Sequence, residues 1–286
     1  MKNVRVAAVT IVRNSDFFLR KWRSHYGSLF GSDHLYVIHD GVLDQSDPAF
    51  MPNDIQHEFR RSRKNFDMEA AEFQSELCNK LLNDYDIVIR TDVDELLTVD
   101  PLHGGWSDVY EECFQSGYVY SLGLDVVHRD DIEPSFDLTN SIFSQREHGI
   151  LSPGFSKPHI ISQPVRWTSA CHTVFDQDLI VSKSSVMLHI GLFDRDQYLQ
   201  CIEERGDLDH RSRKSYSDSR SKRFRALQKA SYTDYDTARD LLMQNLAIRV
   251  SEDRELVAHV VSKLDGNHSL RGGYAVRVPE RLKLSL

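Results

Sequence analysis

The stretch Asp86-Ile-Val-Ile-Arg-Thr-Asp92-Val-Asp94-Glu95-Leu-Leu-Thr-Val-Asp-Pro101 constrains this chain more than any other. Ile87 to Arg90 is short, apolar and mostly β-branched, which suits a buried strand better than a helix. Three acids follow within four positions: Asp92, Asp94 and Glu95. In an open α/β sheet, ligands sit in the crevice beyond the carboxyl ends of the strands, so these acids are expected to face it. Alternation along an extended backbone would put Asp92 and Asp94 on the same side, about 7 Å apart. Carboxylates so placed repel each other unless a cation lies between them. An all-oxygen donor set favours Mg²⁺ or Mn²⁺, ions that commonly complete their shell with phosphates. The expectation is a metal and diphosphate site. The plainer alternative is that acids gather at strand ends because loops are solvated, and Asp-x-Asp alone has many fortuitous matches. An EF-hand loop is excluded, because Leu97 stands where its glycine is required.

The flanking sequence supplies the sheet that such a motif needs. Val4 to Val12 reads as a buried first strand, followed by Arg13-Asn14 at its carboxyl end. Ser15 is the expected N-cap of a helix from Asp16 to about Tyr26, with Phe18, Trp22 and Tyr26 on its inner face and Gly27 ending it. His34 to Ile38 is a second strand, and His39-Asp40-Gly41 turns out of its end. Asp40 would therefore sit in the same crevice as Asp92, either accepting hydrogen bonds from a ribose or nucleobase or serving an ordinary Asp-Gly turn. Ile55 to Phe59 is a candidate third strand. Arg60-Arg61-Ser62-Arg63-Lys64 then precedes a helix over 67–83 whose stripe is Ala70, Phe73, Leu77 and Leu81. That basic run is either a helix N-terminal anion site or a solvated face. The order strand, helix, strand, strand, helix, strand predicts an α/β fold with a mainly parallel sheet.

Beyond Pro101, a helix over 107–115 leads to a strand over 118–122, with Asp125 near its end. Residues 129–157 are polar and read as an active-site loop region. Lys157 to Ile161, Leu179 to Val181 and Ser185 to Ile190 are further candidate strands, the last carrying His189. A lone histidine in such a run is more often a core residue than a ligand. From Asp194 the chain shifts to helix formers and charge. Residues 207–225 hold seven Lys and Arg residues in a linker or loop suited to an anionic acceptor or membrane surface, or simply solvated. Helices follow over 237–250 and 254–264. The expected division is 1–193 as a catalytic domain and 194–286 as a helical region, whose role is either acceptor-side or in forming a homodimer.

Bulk properties remove several classes. With 35 basic against 43 acidic residues the net charge is −8, which argues against nucleic acid as the main partner. No apolar run reaches eighteen residues, so no membrane span is expected, and the apolar run from Val6 is too short for a signal-peptide core. Cysteines at 78, 113, 171 and 201 lack paired spacing and fit reduced thiols. Cytoplasmic residence is expected, with peripheral attachment to the inner membrane face as its variant.

Val9-Thr-Ile-Val-Arg-Asn14, Leu35-Tyr-Val-Ile-His-Asp40-Gly41 and above all Asp86 to Leu97 together resemble the glycosyltransferase family 2-like proteins of the GT-A fold, over roughly residues 4–190. That resemblance implies a Rossmann-like mixed sheet, a nucleotide-sugar donor (most often a uridine diphosphate sugar), a hydroxyl acceptor on a glycan or lipid-linked glycan, and Mn²⁺ or Mg²⁺. It assigns Asp92 to ribose or metal, Asp94 to metal and Asp40 to the nucleoside. The late metal-binding histidine falls on His189, with His172 as its rival. Thr10, Arg13, Asn14, Arg63 and Lys157 complete the donor-binding candidates, Arg63 or Lys157 stabilising the diphosphate leaving group. An inverting attack needs a base, for which Asp125 is first and Glu147 second; His172 is the third catalytic candidate. The Glu-Asp pair of familiar members has no counterpart after residue 150. A haloacid-dehalogenase-like phosphatase, with Asp92 as nucleophile and Asp94 as acid/base, is the rival enzyme class, opposed by Leu96 where threonine or valine is expected. A non-catalytic nucleotide- or sugar-binding protein is the rival outside enzymology.

Overall fold

The computed structural model describes residues 4–41, 50–59, 63–204, 221–252 and 273–284. The fold is α/β with a mixed sheet, and the chain divides into two compact units that alternate along the sequence. The first comprises Met1–Leu96, Gly104–Ser121 and Lys157–Lys183; the second comprises Leu97–His103, Leu122–Ser156 and Ser184–Leu286. This is a different partition from the expected boundary at 193.

The first unit is built on β1 (Val6–Val12), β2 (Leu35–Asp40), β3 (Ile55–His57) and β4 (Ile87–Arg90), which lie in the order β4-β1-β2-β3, all parallel. Strand β8 (Lys157–Ile161) joins β4 antiparallel, and the first residues of β6 (Tyr118–Val127) pair antiparallel with β8. Right-handed crossover helices are the ordinary consequence of such parallel pairs: α1 (Asp16–Phe30) links β1 to β2, and α2 (Arg63–Leu81) links β3 to β4. The two-residue period of the strands sorts their side chains. Ala7, Val9, Ile38 and Val88 pack with Ala70, Ala71, Cys78 and Leu81 of α2 in one core. Phe73 and Leu77, expected in the stripe of α2, lie at its margin. The buried face of the helix instead includes Gln74 and Ser75, 1% and 5% exposed.

Helix α1 runs past Gly27 and ends at Gly31. A Cβ at Gly27 would meet Ser32 and Leu35 side chains at 3.5 and 3.7 Å, ordinary contact, whereas Gly31 has φ +91°, where a side chain is strained. The stop is thus the glycine that needs its missing side chain. Ser15 occupies the N-cap position but its hydroxyl makes no capping bond. Helix α3 (Trp106–Ser116) completes this unit.

In the second unit, β10 (Tyr274–Arg277) and β7 (His148–Leu151) pair antiparallel, and β7 pairs antiparallel with Leu124–Val126 of β6. Strand β9 (Val181–Leu192) lies beside β6 and β5 (Glu95–Val99). The polar stretch expected as loop over 129–157 contains α4 (Ile142–Gln145) as well as β7. Helices α5 (Arg195–Glu204), α6 (221–229) and α7 (Tyr235–Glu252) follow. The two short strands expected over 179–190 are one, because Ser182, Ser184 and Ser185 are buried in it rather than exposed in a loop. The helix expected over 254–264 and most of the basic stretch 207–225 lie outside the described residues. No helix among the described residues is long and apolar enough to cross a membrane.

Candidate functional site

The carboxyl ends of β1, β2 and β4 share one edge of the first unit's sheet, since the three strands are parallel and in close register: Val12 lies beside His39 and Val9 beside Arg90. Arg13, Asp40 and Asp92 therefore gather where a ligand of such a sheet would sit. Asn14 holds φ +46°, a left-handed conformation that asparagine tolerates better than most residues and that turns the chain sharply out of β1. Arg13 donates from NH1 to Asp40 Oδ2 at 3.2 Å, and the Phe59 backbone N–H donates to Asp40 Oδ1 at 3.2 Å. Asp40, 7% exposed, thus braces the turn after β2 as well as facing the edge.

The acidic motif does not continue the strand. Glu95 N–H donates to Asp92 O at 3.0 Å, closing a tight turn over Asp92–Glu95. The expected same-side placement by strand alternation gives way to a turn: Asp92 and Asp94 are partly exposed and Glu95 is buried. The turn is anchored from beneath, as Trp22 Nε1 donates to Thr91 Oγ1 at 2.8 Å and Tyr26 OH donates to the Glu95 carbonyl at 3.1 Å.

The acids also have counter-charges of the protein's own. Arg90 NH2 lies 2.6 Å from Asp92 Oδ1, and Lys157 Nζ lies 2.7 Å from Asp92 Oδ2 and 2.6 Å from Glu95 Oε1. Glu95 Oε2 accepts the Asp92 N–H at 2.9 Å and faces His159 Nε2 at 3.3 Å. The sequence argument set a cation between Asp92 and Asp94; in the structure Lys157 bridges Asp92 and Glu95 with Arg90 beside Asp92, two positive groups against these two negative ones. Arg90 is itself fixed, donating from Nε to Gln74 Oε1 at 2.8 Å, which explains why α2 turns a glutamine inward.

Burial opposes ionisation of Asp92, but the charges of Arg90 and Lys157 outweigh it and hold the carboxyl below its ordinary range. Glu95, 1% exposed, follows the same balance, with burial overcome by Lys157 and then His159, and stays well below the ordinary range. Lys157 is raised, as the pull of Asp92 and Glu95 exceeds its desolvation. Burial drives His159 the other way and favours the neutral ring. Beside an ionised Glu95, Nε2 carries the hydrogen, and Nδ1 is buried with no hydrogen-bond partner.

Other expected residues fall elsewhere. Thr10 is fully buried on the face opposite Val9, its hydroxyl unpartnered, so donor contact is closed to it. Arg63 opens α2, but its side chain lies outside the described residues. His172 is exposed and follows Ala170 and Cys171, both left-handed at φ +58° and +55°.

In the second unit, Asp125 is fully buried. Its Oδ1 lies 2.6 Å from His189 Nδ1 and its Oδ2 accepts from Arg223 NH1 at 3.0 Å, where the base expected of it would have to face an acceptor hydroxyl. The His189 ring stacks on Phe155 with centroids 4.9 Å apart. Gly123 makes room for that phenylalanine, since a Cβ there would lie 2.4 Å from Phe155. The His189 ring is thus fixed by Asp125 at Nδ1 and by Phe155 across its face. Glu147 is exposed, with its carboxylate 3.8 Å from Arg277.

A metal needs convergent oxygen or nitrogen donors. At the carboxyl edge the candidate donors are the carboxylates of Asp92 and Asp94, hard oxygens of which Mg²⁺ or Mn²⁺ takes one or two together with phosphates, and both Asp92 oxygens face the cations Arg90 and Lys157. Among the described residues, one grouping of three donor atoms within 4.8 Å is Asp100, His103 and Asp236. The Arg281 guanidinium already sits there, 2.8 and 3.1 Å from the two Asp100 oxygens and bonded to Asp236. That cluster reads as a neutralised ion-pair network.

The sequence did not single out Arg90 or His159, and Glu95, expected to face the crevice, is buried beneath the turn. A charge ending an apolar strand, and Lys157 and His159 two apart on one strand face, were the available signals. No protein-family model matches the chain, and no curated protein matches it.

Proposed function

We propose that this chain is a metal-dependent glycosyltransferase that moves a sugar from a nucleoside diphosphate sugar, most simply a uridine diphosphate sugar, to a hydroxyl acceptor. The observation that carries this reading is the partly exposed Asp92–Asp94 turn at the carboxyl edge of parallel strands, flanked by Arg13, Asp40 and Lys157. A divalent ion, which Asp94 and Asp92 would hold, would supply Lewis-acid stabilisation of the leaving diphosphate. The chain's own groups supply the rest. Asp40 and Arg13 would meet the nucleoside half of the donor. Lys157 brings a positive charge within reach of the diphosphate, where charge builds as the glycosidic bond to the sugar breaks. His189, whose ring Asp125 holds, is the second unit's candidate for meeting the acceptor.

The test is a screen of nucleotide sugars for Mn²⁺-dependent hydrolysis and thermal protection, comparing the unaltered chain with Asp94→Ala. Protection by a nucleoside diphosphate only when Mn²⁺ is present, abolished in Asp94→Ala, is expected. Unchanged binding and turnover in the variant would remove the assignment. Hydrolysis of an aryl phosphate with Mg²⁺ would instead favour the phosphatase.

A further inference from the structure

Lys157 occupies an unusual position between two carboxylates of different exposure. The Glu95 side chain is 1% exposed, Lys157 7% and Asp92 37%, so the ammonium joins a buried acid to one that solvent and ligands can reach. Glu95 cannot leave, because its other oxygen holds the Asp92 N–H and faces His159. Arg90 cannot follow a ligand either, as its guanidinium is tied to Gln74 as well as to Asp92. Lysine differs from arginine in carrying a compact charge on a flexible stem with three rotatable donors. Of the two cations on Asp92, Lys157 is the one able to change partner while keeping its buried anchor.

The charges give that exchange a direction. Asp92, Asp94 and Glu95 carry three negative charges against the two of Arg90 and Lys157, a net of −1 that repels a diphosphate. A dication turns the net to +1, which attracts one.

Resting on the donor reading above, we propose that Lys157 is an exchangeable counter-ion: it holds Asp92 until a divalent ion arrives, then yields that carboxylate to the ion and turns to the donor's diphosphate. Lys157 thereby couples ion and donor binding, and its removal acts on the two in opposite senses. Freed of a competing cation, Asp92 binds Mn²⁺ better; deprived of a positive charge, the site binds the diphosphate worse.

The experiment is titration calorimetry on the full chain. In Lys157→Gln, Mn²⁺ alone should bind about tenfold more tightly than in the unaltered protein, and uridine diphosphate at saturating Mn²⁺ about tenfold more weakly, each the equivalent of one charge contact in a partly exposed site. A lysine with a merely structural role would leave Mn²⁺ binding unchanged or weakened, and that result overturns the proposal. If the single variant fails to fold with Glu95 left unpaired, the balanced pair Glu95→Gln with Lys157→Gln carries the same two opposite shifts, and their absence there also overturns it. Loss of Mn²⁺ binding in Asp94→Asn alongside an unshifted Lys157→Gln would sink the exchange and leave the donor reading standing. No Mn²⁺ binding by the unaltered chain, with or without the nucleotide, would sink both.

Discussion

Glu95 is ionised inside the protein because Lys157 lies 2.6 Å from one oxygen and His159 faces the other. Removing one partner of such a buried pair costs about 3–5 kcal/mol, as the remaining charge is stranded. The pH dependence has a definite sign. Asp92 and Glu95 have folded pKa values below their ordinary ones, near 4. Their contribution is therefore full above that range and lost as pH falls toward the folded values. His159 is also lowered, by burial, so the unfolded state takes up its proton first, below about 6.5, and again stability falls in acid. The urea midpoint is expected to drop between pH 7 and pH 4. Glu95→Gln should flatten the acid limb of that profile, and an unchanged slope would show that this network does not govern it.

At the level of elements, the two glycines of α1 make opposite predictions. Gly27→Ala fills a helix-interior position at ordinary contact distances and should stabilise the protein by about 0.5–1 kcal/mol. Gly31→Ala forces a side chain into φ +91° and should cost about 1–3 kcal/mol, both read from thermal unfolding. The sequence reading placed the stop at Gly27 because two glycines four apart look alike until the backbone angles are known. Strands β1, β2 and β4 of the parallel sheet were legible, their apolar runs being buried on both faces. Strand β9 was not, since Ser182, Ser184 and Ser185 are buried within it, a fact periodicity does not carry. Strand β6 ran on past Gly123 for a similar reason: that glycine admits Phe155 rather than ending the strand.

For the molecule as a whole, the place of the acidic motif at the carboxyl edge could be read from strand order. Its counter-charges could not, because Lys157 lies 65 residues beyond Asp92 and only pairing of β8 with β4 brings it there. The same limit applies to the boundary expected at 193. Asp125 is held by Arg223 and Asp100 by Arg281, so a fragment 1–193 takes the arginine partner from two fully buried carboxylates. Such a fragment is expected to lack cooperative unfolding by circular dichroism; a soluble fragment with a sharp transition would count against this view.

The chain passes from one compact unit to the other five times, at 96/97, 103/104, 121/122, 156/157 and 183/184. Genetic recombination exchanges contiguous lengths of coding sequence, and here no single crossover can deliver either unit whole. Novelty in such a molecule has to come from point changes and loop insertions, so its two halves are bound to be inherited together.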